Sequence, residues 1–212
     1  MSMHTLEFVR NKFGLDINGK PPIEISNYGR DQLGGLFHEL AFRTGVEIGV
    51  ANGVYSETLM KANPQLKMWG VDPYEPHQGY RDYVHESTFN QMLNDAHERL
   101  DKFPNYTFIR KYSMDALADF EDGTLDFVYI DGDHCFESCV ADIAGWIKKI
   151  RPGGIIAGHD YVRHKGNARI QVMQAVQGYT DAWQIKPWFL LGTEAKVPGQ
   201  IRDAARSWMW CV

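Results

Sequence analysis

The stretch GVEIGVANGVYS, residues 45–56, holds the glycine-rich turn on which the fold assignment depends. An apolar β-run ends at Val50, and Gly49 and Gly53 stand at the change from strand to helix. Glycine lets a backbone turn sharply and approach a bound molecule closely. The spacing is G-x-x-x-G, which matches neither the G-x-G-x-x-G dinucleotide fingerprint nor the Gly-Lys-Ser/Thr ending of a P-loop. The stretch therefore predicts a ligand-binding turn in an α/β sheet.

Short apolar runs alternate with helical segments on both sides of this turn. The predicted strands cover residues 44–50, 67–71, 106–110, 125–130, 154–158, 183–191 and 206–212. Helices are predicted at residues 56–62, 86–102, 115–120, 137–150 and 169–178. Connections longer than about a dozen residues between the first five strands permit right-handed parallel crossovers. The pattern predicts a doubly wound, mostly parallel seven-stranded α/β sheet with an antiparallel C-terminal strand pair.

Length and charge narrow the class of protein. The chain has 212 residues, which suits one compact domain, with residues 1–43 as an N-terminal helical cover and residues 44–212 as the binding domain. Lys and Arg number 22 against 27 Asp and Glu, so the net charge of −5 disfavours a nucleic-acid partner. No run approaches the roughly 20 apolar residues of a membrane span, and no signal peptide is recognised. We expect a cytoplasmic protein with three free cysteines and leave homo-oligomerisation open.

An acidic residue follows the second predicted strand. Asp72 stands 19 residues after Gly53, with Pro73 and Tyr74 directly behind it. In an open α/β sheet, an acid at this place can accept hydrogen bonds from a ribose diol. Asp72 is therefore predicted to anchor an adenosine, while Tyr74 either stacks on the base or covers the edge of the sheet.

Polar side chains also follow the fourth and fifth predicted strands. Asp131, Asp133 and His134 come after one, and His159 and Asp160 come after the other. Neighbouring parallel strands end at the same edge of a sheet, so these groups should converge on one crevice beside the glycine turn. Buried carboxylates and imidazoles cost free energy unless they are paired or bind metal, so the cluster predicts a functional site.

These features together resemble a known class. The glycine loop that starts with Glu47, followed by Asp72, is similar to the cofactor site of class I S-adenosylmethionine-dependent methyltransferases. The stretch LDFVYIDGDHCFESCVADIAGWIKKIRPGGIIAGHDY, residues 125–161, resembles the metal-dependent macrolide sugar O-methyltransferases and the cephalosporin-biosynthesis methyltransferase-like proteins. The resemblance spans residues 44–161, and it implies a methyltransferase acting on a small-molecule hydroxyl, such as that of a sugar or natural product.

The resemblance also implies roles for individual residues. S-adenosylmethionine is expected to contact Glu47, Gly49, Gly53, Ser56, Asp72, Pro73, Tyr74, Ser113, Met114 and Asp131. Glu47 would either steady the loop or face the cofactor's ammonium group. Ser56, at the start of a helix, would hold the cofactor's carboxylate. Ser113 and Met114 would lie at the edge of the adenine.

Two catalytic functions are available to the polar cluster. Asp131 and Asp160, with His159 as a third ligand, would bind a divalent metal, with Mg²⁺ as the default and Mn²⁺, Fe²⁺ or Zn²⁺ as alternatives. His134 is the preferred general base, because imidazole suits proton removal near neutral pH and because the resemblance places a base there. His159 is the competing candidate for the base.

Two other readings of the sequence stay open at this point. The same architecture supports an NAD(P)-dependent oxidoreductase, although the missing third glycine argues against it. A non-catalytic module could also retain the cofactor pocket, although the intact Asp131, His134 and Asp160 argue against that reading.

Overall fold

The computed structural model of the chain describes residues 2–76, 85–163 and 170–212. Its centre is an eight-stranded sheet with the order β1-β7-β8-β6-β5-β2-β3-β4. The strands are β1 (Ile23–Ile25), β2 (Thr44–Ile48), β3 (Lys67–Val71), β4 (Tyr106–Ile109), β5 (Leu125–Ile130), β6 (Ile150–Gly158), β7 (Phe189–Leu191) and β8 (Ser207–Cys211). Strand β8 runs antiparallel to both β6 and β7, and the other neighbouring pairs are parallel.

Helices cover both faces of this sheet. They are α1 (Ser2–Phe13), α2 (Leu33–Glu39), α3 (Val54–Ala62), α4 (Glu86–Leu100), α5 (Ser113–Ala116), α6 (Phe136–Trp146) and α7 (Val172–Ala182). Helices α1 to α4 contribute to one hydrophobic cluster, and α5 to α7 contribute to a second one. None of the helices in the described part of the chain combines the length and apolar content that a membrane crossing requires.

Strand β5 shows why the sequence adopts a doubly wound fold. All six of its residues are buried. Phe127 and Tyr129 point into the first cluster, whereas Val128 and Ile130 point into the second. Alternate side chains of a strand face opposite sides of a sheet, so the apolar run at residues 127–130 needs a helical layer on each side. The predicted doubly wound sheet with an antiparallel C-terminal pair is confirmed.

The main differences from the sequence prediction lie at the ends of the sheet. Residues 1–43 are not wholly helical, because Ile23–Ile25 forms an eighth strand parallel to β7. Strand β7 is short, and Trp183 lies outside it with 70% of its surface exposed. The predicted helix at 169–178 is observed at Val172–Ala182, and its residue 169 lies outside the described residues. A strand of three residues leaves too little periodicity to be recognised in advance.

The sheet order brings the predicted site residues together. Strands β6, β5, β2 and β3 are neighbours, and all four run parallel. The segments that follow their carboxyl ends begin at His159, Asp131, Gly49 and Asp72, respectively. The glycine turn and both polar strand ends therefore lie at one edge of the sheet, as the crossover pattern predicted.

Candidate active site

The glycine turn lies tightly against the end of strand β5. Gly49 has a φ of +84°, and a Cβ atom added there would lie 2.2 Å from the carbonyl oxygen of Asp131. Gly53 has a φ of +78° and immediately precedes helix α3. An L-residue is strained in this left-handed region, and at Gly49 it would also collide with backbone. Both positions therefore require glycine, for reasons of conformation and of space.

Asp72 holds the glycine turn through hydrogen bonds to its backbone. Its Oδ2 accepts hydrogen bonds from the backbone N–H groups of Val50 and Ala51, each at 3.0 Å. Its Oδ1 accepts the N–H of Tyr74 at 2.9 Å. Burial raises the pKa of Asp72, against the lowering effect of these three amides. A carboxylate offers about four acceptor positions, so Asp72, with three of them used by the loop, keeps one for a hydroxyl of the predicted ribose diol.

A cavity of about 480 Å³, here called cavity A, opens between the turn and helix α6. Ile48, Val71, Phe89 and Met92 give it apolar walls. Several residues predicted to contact a cofactor line it: Gly49, Asp72, Pro73, Ser113, Met114 and Asp131. A mostly apolar cleft with a few polar groups is the usual form of a small-molecule site.

Four predicted cofactor contacts do not line cavity A: Glu47, Gly53, Ser56 and Tyr74. The hydroxyl of Ser56 is fully buried, donates to the carboxylate of Glu47 and lies 2.9 Å from the hydroxyl of Tyr106. The ring of Tyr74 is buried in the first hydrophobic cluster. Neither residue lines cavity A or the second cavity, described below. In this geometry Ser56 supports the loop and Tyr74 packs in the core, and their contact with a cofactor stays a prediction.

Glu47 lies beneath the turn at the floor of a second cavity. Only 1% of its surface is exposed. Burial raises the pKa of Glu47 to about 8, despite the hydrogen bond from Ser56 and the nearby charge of Arg30. Of the two roles predicted for Glu47, the hydrogen bond to Ser56 fits the one that steadies the loop.

This second cavity, called cavity B, has a volume of about 540 Å³ and contains the polar strand ends. His134 Nε2 lies 3.1 Å from Asp160 Oδ2. His159 Nδ1 lies 3.3 Å from the same oxygen, and its Nε2 lies 3.3 Å from Asp203 Oδ1. The predicted convergence of Asp131, His134, His159 and Asp160 on one crevice is therefore present in the structure.

The carboxylates and imidazoles of cavity B shift one another's pKa values. Burial alone would lower the pKa of His159, but its hydrogen bonds with Asp160 and Asp203 raise it to about 9. Burial would raise the pKa of Asp160, yet hydrogen bonds with His134 and His159 hold it below its ordinary value. Near neutral pH His159 is consequently protonated, which makes it a poor base and a poor metal ligand.

Arg30 is a site residue that the sequence did not reveal. It comes from the N-terminal segment between β1 and α2, and its Nη2 lies 2.6 Å from Asp131 Oδ2. Its Nη1 lies 3.3 Å from His159 Nδ1, and its guanidinium carbon lies 4.1 Å from the centre of the Tyr55 ring. No motif or spacing marks this residue. Asp203, which binds His159 from beyond strand β7, lacks a local signal for the same reason.

Three groups in cavity B have the types and the separation that a divalent ion requires. One donor atom each from Asp131, His134 and Asp160 lies within 4.8 Å of the other two. Two carboxylates and one imidazole suit Mn²⁺, Fe²⁺ or Zn²⁺ as well as Mg²⁺. The sequence predicted His159 as the third donor, and among the described residues this group contains His134 in its place. The donors fit a divalent ion, while the Arg30 guanidinium competes for Asp131.

Comparison with known proteins identifies the family. A family model described as a methyltransferase domain matches residues 46–161, more than half of the chain. The chain therefore belongs to this methyltransferase family. An uncharacterized protein of Acanthamoeba polyphaga mimivirus is 29% identical over 138 residues, which cover 63% of this chain and 57% of that protein. One of Sinorhizobium fredii is 24% identical over 131 residues, which cover 59% of this chain and 14% of that protein. The chain thus matches less than two thirds of the length of either relative.

Solved structures share the fold over nearly the whole chain. The O-methyltransferase from Bacillus cereus, in complex with SAH, gives a TM-score of 0.60 at 15% identity, covering 98% of this chain and 88% of that one. The O-methyltransferase TomG from Streptomyces achromogenes, involved in tomaymycin synthesis and in complex with SAM, gives 0.58 at 14% identity, covering 100% and 89%. The architecture is that of a class I methyltransferase.

Proposed function

We propose that this chain is an S-adenosylmethionine-dependent O-methyltransferase that methylates a hydroxyl group of a small molecule. The observation that carries the proposal is the junction of the two cavities. Gly49, Ala51, Asp131 and Gly132 line both of them. A cofactor with its adenosine in cavity A would bring its sulfonium group to this junction and present the methyl group to cavity B.

The contents of the two cavities support this division. Apolar walls and the backbone of the glycine turn suit a nucleoside in cavity A, and ionisable groups dominate cavity B. The neighbours from Bacillus cereus and Streptomyces achromogenes were determined with SAH and SAM, respectively. An oxidoreductase would need a cavity for a second nucleotide, and the junction leads instead to carboxylates and imidazoles.

Methyl transfer places one chemical demand on cavity B. The acceptor oxygen attacks the methyl carbon in line with the breaking carbon–sulfur bond, S-adenosylhomocysteine leaves, and the hydroxyl proton must pass to a base. We assign this base to His134, because it lines cavity B and because Asp160 can orient its ring. The raised pKa of His159 makes that residue the weaker candidate near neutral pH.

We further propose a divalent ion at Asp131 and Asp160, with His134 or His159 completing the ligand set. Such an ion would supply Lewis-acid activation of the acceptor hydroxyl. His134 cannot bind the ion through its free electron pair and accept the proton at the same nitrogen. The two roles of His134 are therefore alternatives that experiment can separate.

Binding of S-adenosylhomocysteine, measured by isothermal titration, tests the cofactor assignment. We expect the wild type to bind it and not NAD. Asp72→Ala removes the proposed charge-assisted hydrogen bond to the ribose as well as the three amide contacts that shape the turn, and a loss of about 1.5–3 kcal/mol weakens binding roughly 10- to 150-fold. Unchanged affinity in a folded Asp72→Ala variant, or preferential binding of NAD, contradicts the assignment.

Turnover with pooled hydroxylated acceptors tests the chemistry. We expect His134→Ala to lower turnover about 10²- to 10⁴-fold while the affinity for S-adenosylhomocysteine stays within a few-fold. If His159→Ala abolishes turnover and His134→Ala does not, the base is His159. Full activity after exhaustive chelation contradicts the metal proposal, and absence of transfer to any acceptor favours a non-catalytic module.

A further inference from the structure

A buried carboxyl group in cavity A has no partner of opposite charge among the residues that the structure describes. Asp142, on helix α6, has 4% of its surface exposed and lines the cavity. In the described part of the chain, its side-chain hydrogen bond comes from the hydroxyl of Ser113, and no Lys or Arg pairs with it. The buried Asp126, by contrast, has Arg151 at 2.6 Å. Burying an unpaired carboxyl group is costly, so Asp142 calls for a further explanation.

Two consecutive hydrogen bonds, here called the relay, fix the orientation of this carboxyl group. Trp146 Nε1 donates to Ser113 Oγ at 2.8 Å. The indole N–H is a donor alone, so it uses an acceptor position of the hydroxyl, and the hydroxyl proton is directed to Asp142 Oδ1. The second oxygen, Oδ2, is 4.0 Å from where a Cβ of Gly132 would stand, and Gly132 also lines cavity A.

The oxygen that remains requires a donor from the ligand. Gly132 lies near this oxygen, and Met114 and Ala141 are among the other residues that line cavity A. A flat heterocycle in this position would have apolar contacts on its faces and one polar edge toward Asp142 Oδ2. Because burial raises the pKa of Asp142 to about 7 while Ser113 lowers it, a ligand N–H group that stabilises the carboxylate would relieve part of the cost of burial.

We propose that Asp142 recognises the exocyclic amino group of the cofactor's adenine and so determines the choice of purine. This proposal rests on the proposed function, which places the adenosine in cavity A. Asp142 Oδ2 accepts the amino N–H, while Ser113 and Trp146 keep the carboxyl group in place. Hypoxanthine has a carbonyl oxygen where adenine has the amino group, so two acceptors would face each other. A site built to pair with one polar group strongly rejects an analogue that lacks it.

The test compares S-adenosylhomocysteine with its deaminated analogue, S-inosylhomocysteine, by isothermal titration at about pH 8.5, where the carboxyl group of Asp142, with a pKa of about 7, is ionised and cannot donate to the hypoxanthine carbonyl. We expect the wild type to prefer the adenine ligand by about 100-fold or more, and Asp142→Ala to reduce this preference to within a few-fold. Ser113→Ala, which frees the carboxyl group from its relay, should reduce the preference by a smaller factor. Glu121→Gln removes an exposed carboxyl group that lines neither cavity and should leave the preference unchanged.

The ratio of the two affinities separates recognition from a structural role. If Asp142→Ala weakens both ligands equally, or leaves the wild-type ratio intact, Asp142 does not read the purine and the inference is wrong while the proposed function stands. If the wild type binds neither ligand, the proposed function falls and this inference falls with it. If Asp142→Ala does not fold, Asp142→Asn provides the test in its place. Its amide can donate to the hypoxanthine carbonyl, so we expect it to bind the inosyl ligand more tightly than the wild type does.

Discussion

Glu47 gives the chain a stability that depends on pH, and replacing it with glutamine should remove that dependence. The side chain lies under the glycine turn with 1% of its surface exposed, and it accepts a hydrogen bond from Ser56. Burial raises the pKa of Glu47 from 4.5 to about 8. A raised folded-state pKa means that the folded chain holds a proton more tightly than the unfolded chain. The resulting stabilisation is complete below about pH 4.5 and is lost as the pH rises through 8.

The magnitude follows from the two pKa values. One pKa unit corresponds to about 1.4 kcal/mol, so the shift to about 8 amounts to at most about 5 kcal/mol between the two limits. Relaxation around the charged group reduces this figure, and we expect about 3–5 kcal/mol. A typical domain has about 5–15 kcal/mol of stability in total, so the change is large enough to measure.

Urea unfolding at several values between pH 5.5 and 8.5 measures this effect. We expect the wild type to lose about 2–3 kcal/mol more than Glu47→Gln over this interval, because only part of the span between the two pKa values lies within it, and because the amide keeps the acceptor for Ser56 and carries no charge. Glu57→Gln makes the same chemical change on the outer side of helix α3, where hydrogen bonds with Lys102 and Lys61 lower the pKa of the carboxyl group. It should leave the slope unchanged. Equal slopes for Glu47→Gln and the wild type would refute the reasoning.

Two further predictions concern the glycine turn and the guanidinium group of Arg30. Gly49→Ala should destabilise the chain by about 2–4 kcal/mol and abolish cofactor binding, because its Cβ would lie 2.2 Å from a carbonyl oxygen. Gly123→Ala, also at positive φ but with open space around it, should cost about 1 kcal/mol in the same unfolding assay. Arg30→Met removes the guanidinium from Asp131 and should tighten Mn²⁺ binding about 10-fold in calorimetry, since a competing positive charge is lost. Equal or weaker Mn²⁺ binding by this variant would show that Arg30 does not compete with an ion.

The sequence predicted the parts of the site that follow from strand order. Asp131 and His159 directly follow a buried strand, and His134 and Asp160 lie within four residues of the same strand ends. A parallel sheet with right-handed crossovers leaves few places for such residues to go. The same reasoning found the glycine turn. Hydrophobic periodicity and the positions of glycine and proline are local properties of a sequence. In this chain they were sufficient to predict which strand ends lie side by side.

The orientation of side chains was harder to predict. Asp72 lies where the prediction placed it, yet its carboxylate turns back to the amides of the glycine loop. Ser56 stands at the predicted helix start, but its hydroxyl points toward Glu47. A position along the chain specifies the neighbourhood of a residue, whereas its hydrogen-bond partner depends on which buried groups remain unsatisfied after packing.

Arg30 and Asp203 show a different limit of prediction from sequence, because they reach the site from segments other than the strand ends. Together with Asp131, Asp160 and His159 they form a network in which three carboxylates face two cationic groups. This excess of negative charge would favour the positively charged sulfonium of the proposed cofactor over its neutral product, as well as a divalent ion. The residues at the strand ends account for only part of the charge of the site. Under the proposed function, the chain uses the N-terminal and C-terminal segments to adjust the charge of a site whose framework the parallel strands provide.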